Sequence, residues 1–186
     1  MKSASDLALR IEACKKCGNL PKLKTILQVG KSKILILGES PAKDGWIVSG
    51  RAFYNRENKL QASGKVLNRL LSLCGLTIDD VSFTETCKCI IADRNTLDRC
   101  CENCKPFLLM QLGEIDCDII LTMGKYPTQV LLNKSIKKLG DVVGKKHYIK
   151  LGDKQRVVIP IYHTSPINPL GYKGNEKVFK ELLCNI

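Results

Sequence analysis

Four short apolar runs punctuate the chain: KILILG at 33–38, VSFTET at 81–86, DIILTMG at 118–124 and RVVIPIY at 156–162. They are continuous rather than alternating in polarity. That pattern fits parallel strands covered on both faces, and not a sheet with one wet side. Between them the period changes to that of helices. In SGKVLNRLLSLCG, Val66, Leu67, Leu70, Leu71 and Cys74 form one stripe, Ser63 is placed to cap it and Gly75 to end it. NCKPFLLMQLGEI and NEKVFKELLC read as further helices. YPTQVLLNK reads as a shorter one, with Pro127 tolerated in its first turn. Strands alternating with helices predict an α/β fold: a three-layer α/β/α sandwich around a central, mainly parallel, four-stranded sheet. No repeat, low-complexity tract or linker interrupts the pattern, so residues 1–186 are expected to form one domain.

In such sheets ligands gather where the strands end. The segments that follow the runs are Glu39-Ser40-Pro41, Glu85-Thr86, Gly124-Lys125 and His163-Thr164-Ser165. The first is notable because four large aliphatics stop at Gly38 and give way at once to an acid, a hydroxyl and a proline. An acid and one of the two histidines are therefore predicted to meet in one crevice. The other histidine, His147 in KKHY, reads as a solvated loop residue.

Charge adds a partner class. The net charge of +12 favours a polyanion, of which nucleic acid is the commonest. No segment is apolar and long enough to span a membrane, and MKSASDLALRIEACKKCG lacks the apolar core of a signal peptide. The expectation is a protein of a reducing cytoplasm, in which its ten cysteines act as metal ligands or buried thiols and not as disulfides.

Cys14 and Cys17 form a C-x2-C pair, a bite suited to one tetrahedral thiolate site. In CKCIIADRNTLDRCCENCKPF, Cys89 ends a strand and Cys104 opens a helix, with 14 residues between them. Cys87, Cys100 and Cys101 are rival ligands, and spacing alone does not choose among them. Cys74, Cys117 and Cys184 sit in apolar patterns and read as small core residues. Zinc, an iron–sulfur cluster and unconnected thiols all remain open on this evidence.

Several of these stretches together resemble a known family. Gly38-Glu39-Ser40-Pro41-Ala42 resembles the G-E-A-P-G motif of the iron–sulfur uracil-DNA glycosylases of family four. SGRAF at 49–53 is similar to that family's G-R-P-F segment, and ASGKVLNRLL to its G-x-A-G-x-L-L helix. TETCKC is similar to T-N-V-V-K-C, and YHTSP to Y-H-P-S. The resemblance runs from about Cys14 to Leu183.

It implies DNA base excision: hydrolysis of the bond between a damaged base, normally uracil, and deoxyribose, after the base is flipped out of the helix. It implies a 4Fe–4S cluster on Cys14, Cys17, Cys89 and Cys104, with zinc as the alternative metal. It also implies a single flipped base as the target, hence a monomer acting on DNA. Phe53 would stack on the base and Ser40 would lie beside it. His163 would donate to the base O2 as charge develops on the leaving group. Glu39 would position water and stabilise the cationic sugar.

Three departures from the pattern bear on these roles. Ser40 stands where family four has alanine, and residues 54–59 (YNRENK) add a polar segment between Phe53 and the helix. Glu85 occupies the place of the asparagine whose amide reads the O4 and N3–H edge of uracil. A carboxylate cannot donate to O4 unless protonated, though it can accept from N3–H or from the exocyclic amine of cytosine. Either Thr86 or backbone does the reading, or the preferred base is not plain uracil. Excision of another base and a non-catalytic, damage-binding module both stay open.

Overall fold

The computed structural model describes residues 4–18, 20–22 and 27–184. After helix α1 (Ala4–Ala13) the chain forms strand β1 (Ile34–Gly38), the one-turn helix α2 (Trp46–Ser49) and helix α3 (Ala62–Ser72). Strand β2 (Ser82–Glu85), helix α4 (Leu97–Glu114), strand β3 (Ile119–Met123) and helix α5 (Lys125–Leu132) follow. Strands β4 (His147–Leu151) and β5 (Lys154–Ile161) precede helix α6 (Lys173–Val178), which runs on into a π-helical turn at Phe179–Leu183.

The sheet has the order β2-β1-β3-β5-β4, with β2, β1, β3 and β5 parallel and β4 antiparallel at one edge. The four apolar runs therefore supply the four parallel strands. Because strand side chains alternate, each run feeds both faces at once. Ile34, Ile36, Leu121 and Ile159 pack under α3 and the C-terminal helix, against Leu67, Leu70, Leu71 and Phe179. Leu35, Leu37, Ile120 and Val158 pack on the other face, against Leu108 and Leu112 of α4 and Leu131 of α5. This is the expected three-layer arrangement.

The fifth strand departs from the four-stranded expectation. In β4, His147, Ile149 and Leu151 are half-buried, and Tyr148 and Lys150 are exposed. Its register with β5 closes through a turn at Gly152, whose φ of 61° lies in the left-handed region. His147 is thus a strand residue and not a solvated loop residue. Its Nε2 is buried with no hydrogen-bond partner among the described residues, and burial lowers its pKa, helped by Lys134 and Lys145.

Smaller corrections follow from local geometry. Gln61, and not Ser63, sits at the N-terminus of α3, in extended backbone. Strand β2 stops at Glu85, so Cys89 lies beyond it, in an isolated antiparallel bridge with Lys22. Helix α4 begins at Leu97, so Cys104 stands inside it and shares it with Cys100 and Cys101. Cys74 and Cys184, read as independent core thiols, are joined by a disulfide across 110 residues. The bond ties α3 to the turn that ends the last helix.

Candidate active site

The parallel strands end at a common edge, and a cleft of about 860 Å³ opens there. Gly38, Glu39 and Ser40 line it from the β1 end, Glu85 from β2, Met123 and Gly124 from β3, and His163 from β5. Phe53 and Ser63 close it from the α3 side, and Arg94, Tyr126 and Asn168 add a rim. Residues predicted from four separate stretches thus share one cavity.

The β1 and β2 ends are knitted together. Gly38 and Glu85 are register partners. Thr86 donates to the Gly38 carbonyl through its backbone N–H (2.9 Å) and its hydroxyl (2.8 Å), and Cys87 N–H donates to the Glu39 carbonyl (2.9 Å). The Thr86 side chain is therefore spent inside the fold, which removes it as a reader of the base. Gly38 is needed for close approach. A Cβ built there would stand 2.1 Å from Glu85 Oε2 and 2.8 Å from its Cδ, so any other residue would displace the Glu85 carboxyl.

The two glutamates have unlike partners. Glu39 is held by Arg94: Nη1 donates to Oε1, and Nη2 reaches Oε2 at 3.3 Å. Glu85 has no such clasp. Its Oε2 is buried with no hydrogen-bond partner among the described residues. Burial pushes the carboxyl up to about 8, against the pull of Lys88 and with a smaller push from Glu39. Lys88 is itself buried, and its ammonium donates to Thr84 Oγ1 (2.9 Å) and to the Glu85 backbone carbonyl, not to the carboxyl.

His163 has a defined tautomer. Ser165 N–H donates to Nδ1 at 3.1 Å, so Nδ1 carries a lone pair and the neutral ring bears its proton on Nε2. Desolvation lowers the pKa of the ring and Glu39 opposes this, which keeps the neutral form in place at physiological pH. Asn168 Nδ2 donates to the His163 carbonyl at 2.9 Å and fixes the loop.

Phe53 adopts φ 66°, a left-handed conformation that costs a bulky residue of order 1–3 kcal/mol. Its ring packs on Phe83 at 5.2 Å, and its carbonyl accepts from Gln61 N–H at 2.8 Å. Gly64 lets α3 come this close: a Cβ there would stand 2.8 Å from that of Phe53. The inserted segment 54–59 folds on itself, with Asn55 Oδ1 accepting from the backbone of Glu57 and Lys59. Arg51 turns outward to Asn58 and Asp79. None of residues 54–59 is among the described residues that line the cleft.

A thiol-rich corner lies behind the β2 end. Cys87, Cys100, Cys101 and Cys104 are buried together, with Cys17 packed against them. Cys87 Sγ is 3.2 Å from Cys101 Sγ. Burial pushes the Cys89 thiol up to about 12, with a further push from Cys104, Cys17 and Cys14. Asn103 Nδ2 donates to Cys17 Sγ at 3.3 Å. Cys104 is drawn down to about 6 by a hydrogen bond from Cys87, with help from the Lys88 backbone and ammonium. Among the described residues no three His, Cys, Asp or Glu side chains form a closed coordination group. The donors fit a soft metal centre in kind: all are thiols, brought from three separate segments.

The sequence reading missed Arg94, Tyr126 and Asn168. Arg94 lies in the irregular stretch IADRNT, where no periodicity marks it, and only its ion pair with Glu39 brings it to the cleft.

The model of the uracil DNA glycosylase superfamily matches residues 26–186. The type-4 uracil-DNA glycosylase of Archaeoglobus fulgidus is 30% identical over 196 aligned positions, covering 99% of this chain and 94% of that protein. The type-4 enzyme of Sulfurisphaera tokodaii is 28% identical, covering 98% of this chain and 84% of its own length. That of Saccharolobus solfataricus is also 28% identical, with 95% and 83% covered.

Proposed function

Since the chain belongs to the uracil-DNA glycosylase superfamily, we propose that it is a base-excision glycosylase that hydrolyses the N-glycosidic bond of uracil in DNA. The observation that carries this reading is His163. Its Nδ1 is occupied by the Ser165 amide, so a neutral ring can present only an Nε2–H donor, in the cleft that Glu39 and Phe53 also line.

Flipping delivers the base to this cleft, because the bond is out of reach within stacked DNA. Phe53 stacks on the extruded ring, and its strained backbone is held by packing on Phe83 and Gly64. As the bond from C1′ to N1 breaks, its electron pair goes to the base and charge gathers on O2, where His163 Nε2–H donates. The sugar becomes cationic. Glu39 stabilises it and orients the water that adds to C1′, whose surplus proton leaves to solvent and balances the departing base anion, while Ser40 lies alongside. Water is the nucleophile, so the enzyme is monofunctional: it releases the free base and leaves an abasic site. The +12 charge supplies phosphate contacts, and affinity for undamaged DNA falls steeply as salt rises.

Cys14, Cys17, Cys89 and Cys104 would hold a 4Fe–4S cluster. Its contribution when bound is a cross-link among the N-terminal segment, the β2 end and α4, remote from the bond that is hydrolysed. Protein purified without oxygen is expected to be brown and to contain iron. Cys14→Ala or Cys104→Ala should lose the metal, and Cys74→Ala should keep it. A colourless protein with stoichiometric zinc would replace the iron assignment.

The test of function is single-turnover treatment of an oligonucleotide carrying one uracil, followed by alkali. Strand scission at that position is expected, with none at thymine. Intact strands with uracil at every pH tested would refute the reading.

A further inference from the structure

Glu85 poses a problem for the glycosylase reading, on which this inference rests. The uracil edge presents a donor, N3–H, beside an acceptor, O4. An ionised carboxylate offers acceptors only, so one of its oxygens would face O4 with lone pair against lone pair. The surroundings decide which form the side chain takes.

Among the described residues no cation clasps the carboxyl. Lys88, the nearest, spends its ammonium on Thr84 Oγ1 and the Glu85 carbonyl. Across the strand boundary stands Glu39, a like charge already committed to Arg94. His163, on the far wall, is neutral with its donor on Nε2. Beneath the carboxyl lies bare Gly38 backbone, and Oε2 is buried without a partner among the described residues. A charge in that setting is unsupported. A proton on one oxygen removes the charge and leaves a hydroxyl that needs an acceptor.

We propose that Glu85, its carboxyl turned off Gly38 toward the cleft, reads the flipped base as a neutral carboxylic acid, one oxygen accepting from uracil N3–H while the other donates its O–H to O4. Such an acid carries one donor and one acceptor on adjacent atoms, the same pair that a primary amide offers. It therefore does the work of an amide at this position without being one. No net proton moves, because the acid enters the pair already protonated. The push on its carboxyl to about 8 agrees with this form at neutral pH. Unlike an amide, the acid can be switched off: above that range it ionises and the O4 contact turns repulsive.

The experiment compares wild type, Glu85→Ala and Glu85→Gln by single-turnover excision of uracil from a single-stranded oligonucleotide across the neutral to alkaline range. Infrared difference spectra of wild type against Glu85→Gln accompany the kinetics. Losing both base contacts in Glu85→Ala should slow excision by about tenfold or more. Glu85→Gln, a permanent donor–acceptor pair, should recover most of that loss and should lack the fall that wild type shows above pH about 8. The spectra should contain the carbonyl band of a protonated acid at pH 7, fading as the rate falls. A carboxylate band at pH 7 would overturn the proposal. So would a correctly folded Glu85→Gln no faster than Glu85→Ala. If no variant excised uracil at any pH, the glycosylase reading would fall and take the base-reading role with it, whatever the spectra showed.

Discussion

The loop after β1 and the end of β2 each deliver a glutamate to the same cleft, one strand apart, yet their surroundings differ. Glu39 is half-buried, with its side chain 22% exposed, and an arginine that is itself 65% exposed grips both of its oxygens. Glu85 is folded down onto Gly38, with a buried, unpartnered oxygen and a lysine that looks elsewhere. The first setting pairs a carboxylate with a guanidinium, and the second disfavours charge. On the proposed roles this is a division of labour: a negative charge beside the sugar, and an uncharged hydrogen-bonding edge beside the base. Two identical side chains are made to differ by what surrounds them.

The largest expected effect tests the charged half. Glu39→Gln keeps the shape and removes the charge, and His163→Ala removes the donor to O2. Each should lower single-turnover uracil excision by about a hundredfold, corresponding to about 3 kcal/mol of lost transition-state stabilisation. Binding to uracil-containing DNA should change little in a gel-shift assay. Full activity in both variants would move the chemistry out of this cleft. The contrast sharpens if Glu39→Gln is crippled and Glu85→Gln is not.

The next effect is on stability and tests the uncharged half. The folded-state pKa of Glu85 is raised from 4.5 to about 8, so the folded protein holds this proton after the unfolded chain has released it. Stability from this group is present in full below about pH 4.5 and is lost as pH rises towards 8. Glu85→Gln cannot ionise. Its thermal midpoint relative to wild type should therefore rise steadily between those limits. Parallel pH profiles for the two proteins would show that Glu85 is charged and supported, and the comparison would collapse.

How far the sequence foretold this arrangement depends on the range of the interactions. The parallel strands were legible because each is a local apolar run, and the cleft because strand ends converge in any open α/β sheet. Glu39, Glu85 and His163 follow from that rule, together with the motif resemblance. Strand β4 was hidden: HYIKL alternates properly, but flanking lysines made it look like solvated loop, and only pairing with β5 gives it a face to bury. The disulfide of Cys74 with Cys184 spans 110 residues and depends on how the last helix lies against α3, which no local pattern records. Arg94 was hidden for the same reason. The sequence placed two glutamates at the cleft, but their different surroundings come from groups distant along the chain.

The smallest expected effect concerns Arg94. Its guanidinium is largely exposed, so the ion pair with Glu39 is worth roughly 0–1 kcal/mol to the fold after screening. Arg94→Ala should therefore leave the thermal midpoint nearly unchanged at moderate salt. Its effect on catalysis has two opposed parts. Without the pair, Glu39 loses its fixed orientation, which slows the reaction. It also loses the cation that dilutes its field at the sugar, which speeds it. The two should nearly cancel, leaving a change of about threefold in either direction. Arg94→Lys keeps the charge but not the two-pronged grip, and so separates orientation from field. If Arg94→Lys behaves as Arg94→Ala, orientation is what Arg94 supplies; if it behaves as wild type, charge is. A loss approaching that of Glu39→Gln would mean that Glu39 works only while clasped, and that the contrast with Glu85 lies in the clasp rather than in exposure to water.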